Sequence, residues 1–319
     1  MRVLITGING FVGGHLAERL LASGRWEVWG LARQPALVLP HLAGRVRYVA
    51  ADLTVQDQVV SALESAHPEV IFHLAGQSNV PRSFADPAGT LAANLTAQVF
   101  LFQAILRLRQ DPLVLVAASN EIYGAVRPAD LPLDEETPLR PVNPYAVSKA
   151  AQDLLAFQYF ASHRLRTIRL RPFNHIGPRQ SDAFVAAAFA AQVARIEAGQ
   201  QPPLMRVGNL SAERDFTDVR DMVRAYELAA LSGEVGEAYN IGSGRATRIQ
   251  HLLDILMAFS TKDIAVEADP ARMRPADVPR VVCDARRFTA RTGWEPQIPL
   301  EQTLFDTLEY WRAWVREHR

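Results

Sequence analysis

The sequence predicts an α/β protein: a doubly wound parallel sheet followed by a smaller C-terminal α/β subdomain. Three observations predict it. Short β-branched-rich runs such as Val3-Leu4-Ile5, Val70-Ile71-Phe72 and Leu113-Val114-Leu115-Val116 alternate with longer amphipathic stretches, and strands alternating with helices of that length imply parallel pairing through crossovers. Glycines at positions 7, 10 and 13 separate the first run from the amphipathic stretch His15-Leu16-Ala17-Glu18-Arg19-Leu20-Leu21. After Pro172 the pattern loosens into turn-rich segments, dividing the chain into residues 1–172 and 173–319, with some of the second part expected to return to the first.

Composition excludes several classes of function. Lys+Arg and Asp+Glu both number 34, so no global field attracts nucleic acid or an anionic membrane. Cys283 is the only cysteine, which rules out an intrachain disulfide and a multi-cysteine metal site and suits a reducing cytoplasm. It is expected to be a small core residue, and no metal is expected. The chain enters a strand at its first residues and no apolar run approaches the length of a membrane span, so a cytoplasmic protein without a signal peptide is expected.

Taken in order, the first strand ends at Thr6-Gly7. The turn through Gly7, Gly10, Phe11, Val12 and Gly13 lets the backbone approach a pyrophosphate, held by the amides and dipole of the following helix, as in a Rossmann-type dinucleotide site. The second strand, Trp26 to Leu31, leads into Ala32-Arg33. Arg33 suits a 2′-phosphate by charge and forked donors, favouring NADPH, with NADH possible. The third strand ends at Asp52-Leu53, where Asp52 could meet the adenine amino group or cap the helix starting near Gln56. The fourth runs into Leu74, Ala75, Gly76 and Gln77, small residues that let backbone approach a cofactor. His73 within it reads as a buried, satisfied histidine.

A helical stretch from Thr90 to Leu108 precedes the strand that ends near Ser119. After a loop from Asn120 to Val142, Asn143-Pro144 signals a helix start, which puts Tyr145 and Lys149 on one helix face. The lysine charge is expected to lower the phenol pKa into a useful range for proton transfer, while Ser119 offers a hydroxyl to a substrate oxygen. Beyond Pro172, the segment Asn174 to Gln180, the stretch Gly233 to Gly244 and the stretch Ala265 to Pro279 read as turn- or loop-rich. Helices are expected near Ile249 to Phe259 and Leu300 to Glu317. Arg206 and Arg220 read as solvated, whereas Arg214 and Arg274 stand where a diphosphate partner is plausible.

Together, Thr6-Gly7-x-x-Gly10-x-x-Gly13, Ser119, Tyr145-x-x-x-Lys149 and Arg214-Asp215-Phe216 resemble the extended short-chain dehydrogenases/reductases, the NAD-dependent epimerase/dehydratase family, over nearly the whole chain. The segments His73 to Gln77, Arg171 to Pro178 and Asp269 to Arg274 most resemble the members that reduce GDP-linked 4-keto-6-deoxyhexoses, with the GDP-mannose 4,6-dehydratases as near relatives. The resemblance implies a C-terminal subdomain that binds a nucleotide sugar through Gln77, Asn174, Arg179, Arg214 and Arg274. It also implies that Ser119 and Tyr145 meet the carbonyl oxygen and that Lys149 meets the nicotinamide ribose. Glu121 lies where the dehydratases carry an acid, and related reductases tend to have one too. The turn Gly10-Phe11-Val12-Gly13 differs from the dehydratases' usual Gly-Gln-Asp-Gly. Alternatives are a nucleotide-sugar 4,6-dehydratase or 4-epimerase and, remotely, a non-catalytic dinucleotide sensor. A homodimer is expected through the helices bearing Val99 to Leu106 and Tyr145 to Phe160, whose apolar residues exceed what one internal face needs.

Overall fold

The computed structural model describes residues 1–272 and 278–318. In chain order its first part comprises β1 (Arg2–Thr6), α1 (Phe11–Ser23), β2 (Glu27–Ala32), β3 (Arg47–Ala50), α2 (Gln56–Ala66), β4 (Val70–His73), α3 (Val80–Ala85), α4 (Pro87–Arg107), β5 (Leu113–Ala117), α5 (Pro144–His163) and β6 (Thr167–Pro172). There follow β7 (Asn174–Ile176), α6 (Val185–Glu197), β8 (Leu204–Val207), β9 (Glu213–Asp218), α7 (Val219–Ser232), β10 (Ala238–Ile241), β11 (Ala246–Arg248), α8 (Ile249–Ala258), β12 (Ala265–Ala268), α9 (Arg286–Thr292) and α10 (Leu300–Glu317).

Seven strands form one sheet in the order β10-β6-β5-β4-β1-β2-β3, and every pairing in it is parallel. Alternate residues of the central strands serve opposite faces. Val3 and Ile5 pack with Leu16 and Leu20 of α1 and Met222 and Tyr226 of α7, while Leu4 packs with Val59 and Leu63 of α2 and Leu101 and Ile105 of α4. Burial on both faces explains why these strands read as continuous apolar runs. A separate core joins α6, α8 and α10 through residues such as Ala190, Leu252, Leu304 and Leu308.

The doubly wound sheet is as the sequence predicts, but three segments after Pro172 differ. The stretch 233–244 contains β10, the seventh strand of the main sheet. Its Asn240 hides the strand pattern, because the buried amide donates to Leu133 O at 2.9 Å and accepts the Tyr123 hydroxyl at 2.6 Å. The polar segment Asn174–Ile176 is β7, paired with β9, and β12 pairs with β8 although all four of its residues are exposed. Arg220, expected in solvent, bridges Asp218 and Asp306 at 2.7 Å each.

Helix α4 is apolar enough, by length and mean hydropathy of 1.4, to cross a membrane, although the sequence shows no unbroken apolar run. Polar residues interrupt it on the face against α5. The buried Asn94 donates to Ser148 Oγ at 2.8 Å, and Gln98 and Gln152 reach across to Gln152 O and Asn94 O at 2.8 and 3.0 Å. The expected dimer face also needs correction. Phe102, Leu101 and Ile105 are fully buried within the chain, Phe102 against the Tyr159 ring at 4.9 Å, whereas Leu106, Val147, Leu154 and Phe157 are exposed.

Helix α5 is tied to β6 by Asp153, which is fully buried and accepts Arg171 Nε and Nη2 at 2.9 Å each, with Arg169 Nη1 at 3.3 Å. Removing the anion leaves buried guanidinium charge uncompensated. Asp153→Ala is therefore expected to lower unfolding stability by about 3–5 kcal/mol, read from a urea midpoint with unchanged slope. A loss below about 1 kcal/mol would refute this role.

Candidate active site

The strand order reverses between β1 and β4, and clefts in such sheets open at the carboxyl ends of the strands there. Gly7 follows β1 with φ 74°, a left-handed conformation that side chains rarely adopt. A Cβ on Gly13 would lie 2.3 Å from Gly7 O and 2.8 Å from Ile8 Cα, so the turn is packed backbone against backbone. Helix α1 then starts at Phe11 behind Gly10, without a side-chain cap. Its first amides, with Val12 among them, remain available to an anion.

Around this turn, Arg33 is exposed just after β2. Burial pushes the Asp52 carboxyl up, but the Thr54 amide and hydroxyl at 2.8 and 2.7 Å, with the charge of Arg33, outweigh it and hold Asp52 below its usual range. Asp52 thus shapes the turn entering α2, whose N-cap is Val55; Leu53 is buried. Leu74 and Ala75 are half-buried, and a Cβ on Gly7 would stand 3.0 Å from Ala75 Cα, so these backbones touch. Gly76 is exposed beside Lys149, whose Nζ would be 3.7 Å from a Cβ there. The Gln77 side chain turns inward, its Nε2 donating to Asn79 O and Thr90 Oγ1 at 3.0 and 3.1 Å. The structure therefore gives it a local role in the approach to α3, which its sequence position does not reveal.

Asn143 caps α5 by accepting Ala146 N at 2.7 Å, and Pro144 fills the first helical position. The sequence marks Asn143 only as a helix start, yet it also donates to Glu121 Oε2 at 3.0 Å. Tyr145 is hydrogen-bonded to Ser119, and Ser119 Oγ accepts Glu121 N at 3.2 Å. Ser119, Glu121 and Tyr145 therefore lie close together. The electrostatics do not follow expectation. Burial pushes the Tyr145 phenol up to about 12, with the Ser119 bond opposing and the Glu121 charge reinforcing the rise. Lys149, 6% exposed, is lowered to about 8 by burial and donates to Ala117 O at 2.7 Å. The shared helix face holds, but the lysine stem reaches the end of β5, where the ammonium does not pull the phenol down.

One cleft runs from Glu121 and Asn143 past Val80 and Phe84 of α3 to Arg214 and Val281. Arg214 donates to Glu213 O at 2.8 Å. Its neighbour Asp215 points the other way, fully buried, accepting Ser243 N and Oγ, Gly244 N and Cys283 N at 2.6 to 3.0 Å. Asn174 carries a buried Oδ1 without a hydrogen-bond partner. Arg179, expected at a substrate, instead makes a bidentate pair with Glu18 of α1 at 2.5 and 2.7 Å. Arg274 lies outside the described residues. Cys283 is buried, as its lone occurrence suggested. Among the described residues no cluster of three His, Cys, Asp or Glu could hold a metal.

The sequence model of the GDP-mannose 4,6 dehydratase family matches residues 4–307. The chain belongs to this family. It is 39% identical to GDP-6-deoxy-D-mannose reductase of Pseudomonas aeruginosa over 99% of both chains. The structure of RMD from Pseudomonas aeruginosa complexed with NADPH is 35% identical, with a TM-score of 0.85 over 98% of this chain and 99% of that one. The Thermus thermophilus UDP-glucose 4-epimerase complex with NAD is 30% identical, with a TM-score of 0.88 over the same shares. This family member also shares 31% identity with a Mycolicibacterium smegmatis UDP-glucose 4-epimerase, over 98% of this chain and 99% of that one.

His73, at the end of β4, is buried as expected, with Nδ1 3.0 Å from Thr6 Oγ1, but it is not fully satisfied: its buried Nε2 has no hydrogen-bond partner. Burial, reinforced by the Lys149 charge, lowers it to about 3, and burial with the Arg179 charge lowers His15 to about 4. Both lie below the unfolded value near 6.5. Their contribution to stability is therefore fully present above pH 6.5 and is lost as pH falls toward 3 to 4. Between pH 7 and pH 5 the urea midpoint should drop by an amount equivalent to about 1–2 kcal/mol per histidine. His73→Gln should make the drop smaller, and an unchanged pH profile would contradict the assignment.

Proposed function

We propose that this chain reduces the 4-keto group of a GDP-linked 4-keto-6-deoxyhexose with NADPH, converting GDP-4-keto-6-deoxy-D-mannose to GDP-D-rhamnose. The observation that carries the reading is the full-length similarity to the Pseudomonas reductase, 39% identical over 99% of both chains; in the site, burial raises the Tyr145 phenol to about 12. At neutral pH it is a proton donor, the form that a ketone reduction consumes. The nucleotide and sugar rest on the full-length similarity to the Pseudomonas reductase. Nucleotide-sugar 4,6-dehydration is the second reading, favoured by Glu121 beside Tyr145.

The residues present fit a dinucleotide: the backbone turn at Gly7 and Gly13 has no room for side chains, the first amides of α1 lack a side-chain cap, and Arg33 offers a cation after β2. NADPH supplies the hydride to C4 when bound, with NADH as the alternative donor. Arg33 selects the 2′-phosphate, while Leu74, Ala75 and Gly76 give close backbone approach. Ser119 holds the carbonyl oxygen, Tyr145 delivers its proton there, and Lys149 orients the ribose. Arg214, with Asn174 beyond it, binds the nucleotide diphosphate end. Arg179 braces this segment on α1 through Glu18.

A coupled assay tests the reading: one NADPH should be consumed per GDP-4-keto-6-deoxy-D-mannose turned over. Turnover of GDP-mannose without added cofactor would overturn it in favour of dehydration. Tyr145→Phe should lower turnover by about 10²–10⁴-fold with NADPH affinity nearly unchanged. Near-normal turnover would mean another proton source.

The protein partner we propose is a second copy, joined through α4 and α5 in a four-helix interface, in a cytoplasmic enzyme consistent with its free, buried Cys283. Leu154 and Phe157 of α5 are 57% and 47% exposed, an apolar surface that a second copy would cover. Light scattering should give a dimer for the parent and a monomer for Leu154→Glu. A monomeric parent, or a dimer indifferent to that charge, would remove this interface.

A further inference from the structure

Helix α1 holds more than the dinucleotide turn. Phe11, His15 and Glu18 follow one another at helical spacing, so they share one face of α1, and each takes hold of the segment that includes and follows β7. The Phe11 ring stacks on His175, with centroids 6.1 Å apart and planes 4° from parallel. His15 Nε2 donates to Pro178 O at 2.9 Å. Glu18 accepts both ends of the Arg179 guanidinium, at 2.5 and 2.7 Å. Gln180 closes the segment on itself, its Nε2 donating to His175 O at 2.9 Å. An isolated, partly exposed ion pair contributes little, whereas this one ends a row of three contacts along a single helix face.

Glu18 also holds a second element. His41 Nε2, in the short turn Pro40–Leu42 between β2 and β3, donates to Glu18 Oε1 at 2.5 Å. The loop that carries it begins at Arg33 and is tied to the glycine turn as well: Asn9 Oδ1 accepts Val38 N at 3.0 Å, and Asn9 Nδ2 donates to Ala36 O at 3.1 Å. Leu39 presses on the helix, its Cδ1 2.5 Å from where a Cβ on Gly14 would stand. Burial pushes the Glu18 carboxyl up, but the bonds from Arg179 and His41 outweigh it and hold Glu18 below its usual range. His15, lowered to about 4 chiefly by burial, is neutral at pH 7, and with its one proton spent on Pro178 O it offers Glu18 no donor. The carboxylate is therefore shared between Arg179 and His41.

These two elements serve different ligands in the reductase reading, on which this inference rests. Asn174 opens the segment held through Arg179, and β7 pairs with β9 at Asn174 and Phe216, two residues beyond Arg214. Fixing the segment on α1 therefore fixes the nucleotide-sugar side against the cofactor helix. The loop held through His41 carries Arg33, the cation for the 2′-phosphate. We propose that Glu18 is a positioning residue for both ligands, a single carboxylate that places the nucleotide-sugar segment through Arg179 and the 2′-phosphate loop through His41. It acts on each ligand through another side chain. The glycine turn and the first amides of α1 account for the pyrophosphate alone, and Glu18 extends the role of this helix to the two ligand ends that lie beyond it.

Calorimetry with NADPH, NADH and GDP tests the assignment, GDP being titrated into the NADP-loaded protein. Arg179→Met should weaken GDP by about 3–100-fold, the range for residues coupled in one network, and leave the NADPH-to-NADH affinity ratio unchanged. His41→Phe should lower that ratio at least about threefold and leave GDP unchanged. Glu18→Gln should do both. Because Glu18 acts through its partners, Glu18→Gln combined with Arg179→Met should lose no more GDP affinity than the worse single variant, and combined with His41→Phe no more NADPH preference. Losses that add in the double variants, or a Glu18→Gln protein with GDP affinity and NADPH preference intact, would overturn the positioning role. So would an equal fall in all three affinities, the mark of a weakened fold. A parent that binds NADPH but not GDP would sink the GDP-linked reading alone, and the NADPH-to-NADH ratio of the Glu18 and His41 variants would then decide the inference.

Discussion

Helix α5 carries the phenol and the amine of the site, and polar contacts fix it on three sides. Asn143 sets its first turn, Asp153 binds it to β6 through two arginines, and the buried amides of Asn94, Gln98 and Gln152 join it to α4. Such contacts are directional, whereas apolar packing alone tolerates small rotations. A rotation of one residue would carry Tyr145 away from Ser119, so the polar ladder between α4 and α5 fixes the register on which the site depends.

The parts of the fold legible in the sequence are those in which local pattern and tertiary environment agree. Strands buried on both faces read as apolar runs, and the glycine turn, the Asn143-Pro144 helix start and helices α8 and α10 carry their signals locally. β10 is hidden because Asn240 is satisfied only by residues more than a hundred positions away, Tyr123 and Leu133. β7 is a short, largely polar strand and β12 a short, fully exposed one, and the pairing partners of both are distant in sequence.

The site shows the same division. Residue types and spacing bring Ser119, Glu121, Tyr145 and Lys149 together, but do not reveal their electrostatics. A helical i,i+4 relation says that two side chains share a face, not where a long flexible stem ends. The Ala117 carbonyl captures the Lys149 ammonium, and desolvation then governs both groups. Arg179 is a similar case. A forked cation in a turn-rich segment suits an anion, and here that anion is Glu18 of the chain's own α1, visible only once α1 and the segment after β7 are seen side by side.

Within β9, adjacent residues do opposite work. Arg214 faces the cleft, while Asp215 gathers four donors from two distant loops and holds Ser243, Gly244 and Cys283 behind it. In a mutational scan scored by ligand affinity, the two positions would look alike although their failures differ in kind. A defect at Arg214 removes a contact from an intact wall. A defect at Asp215 lets the wall sag, so rescue by raising ligand concentration would come with altered protease sensitivity in the loops it anchors.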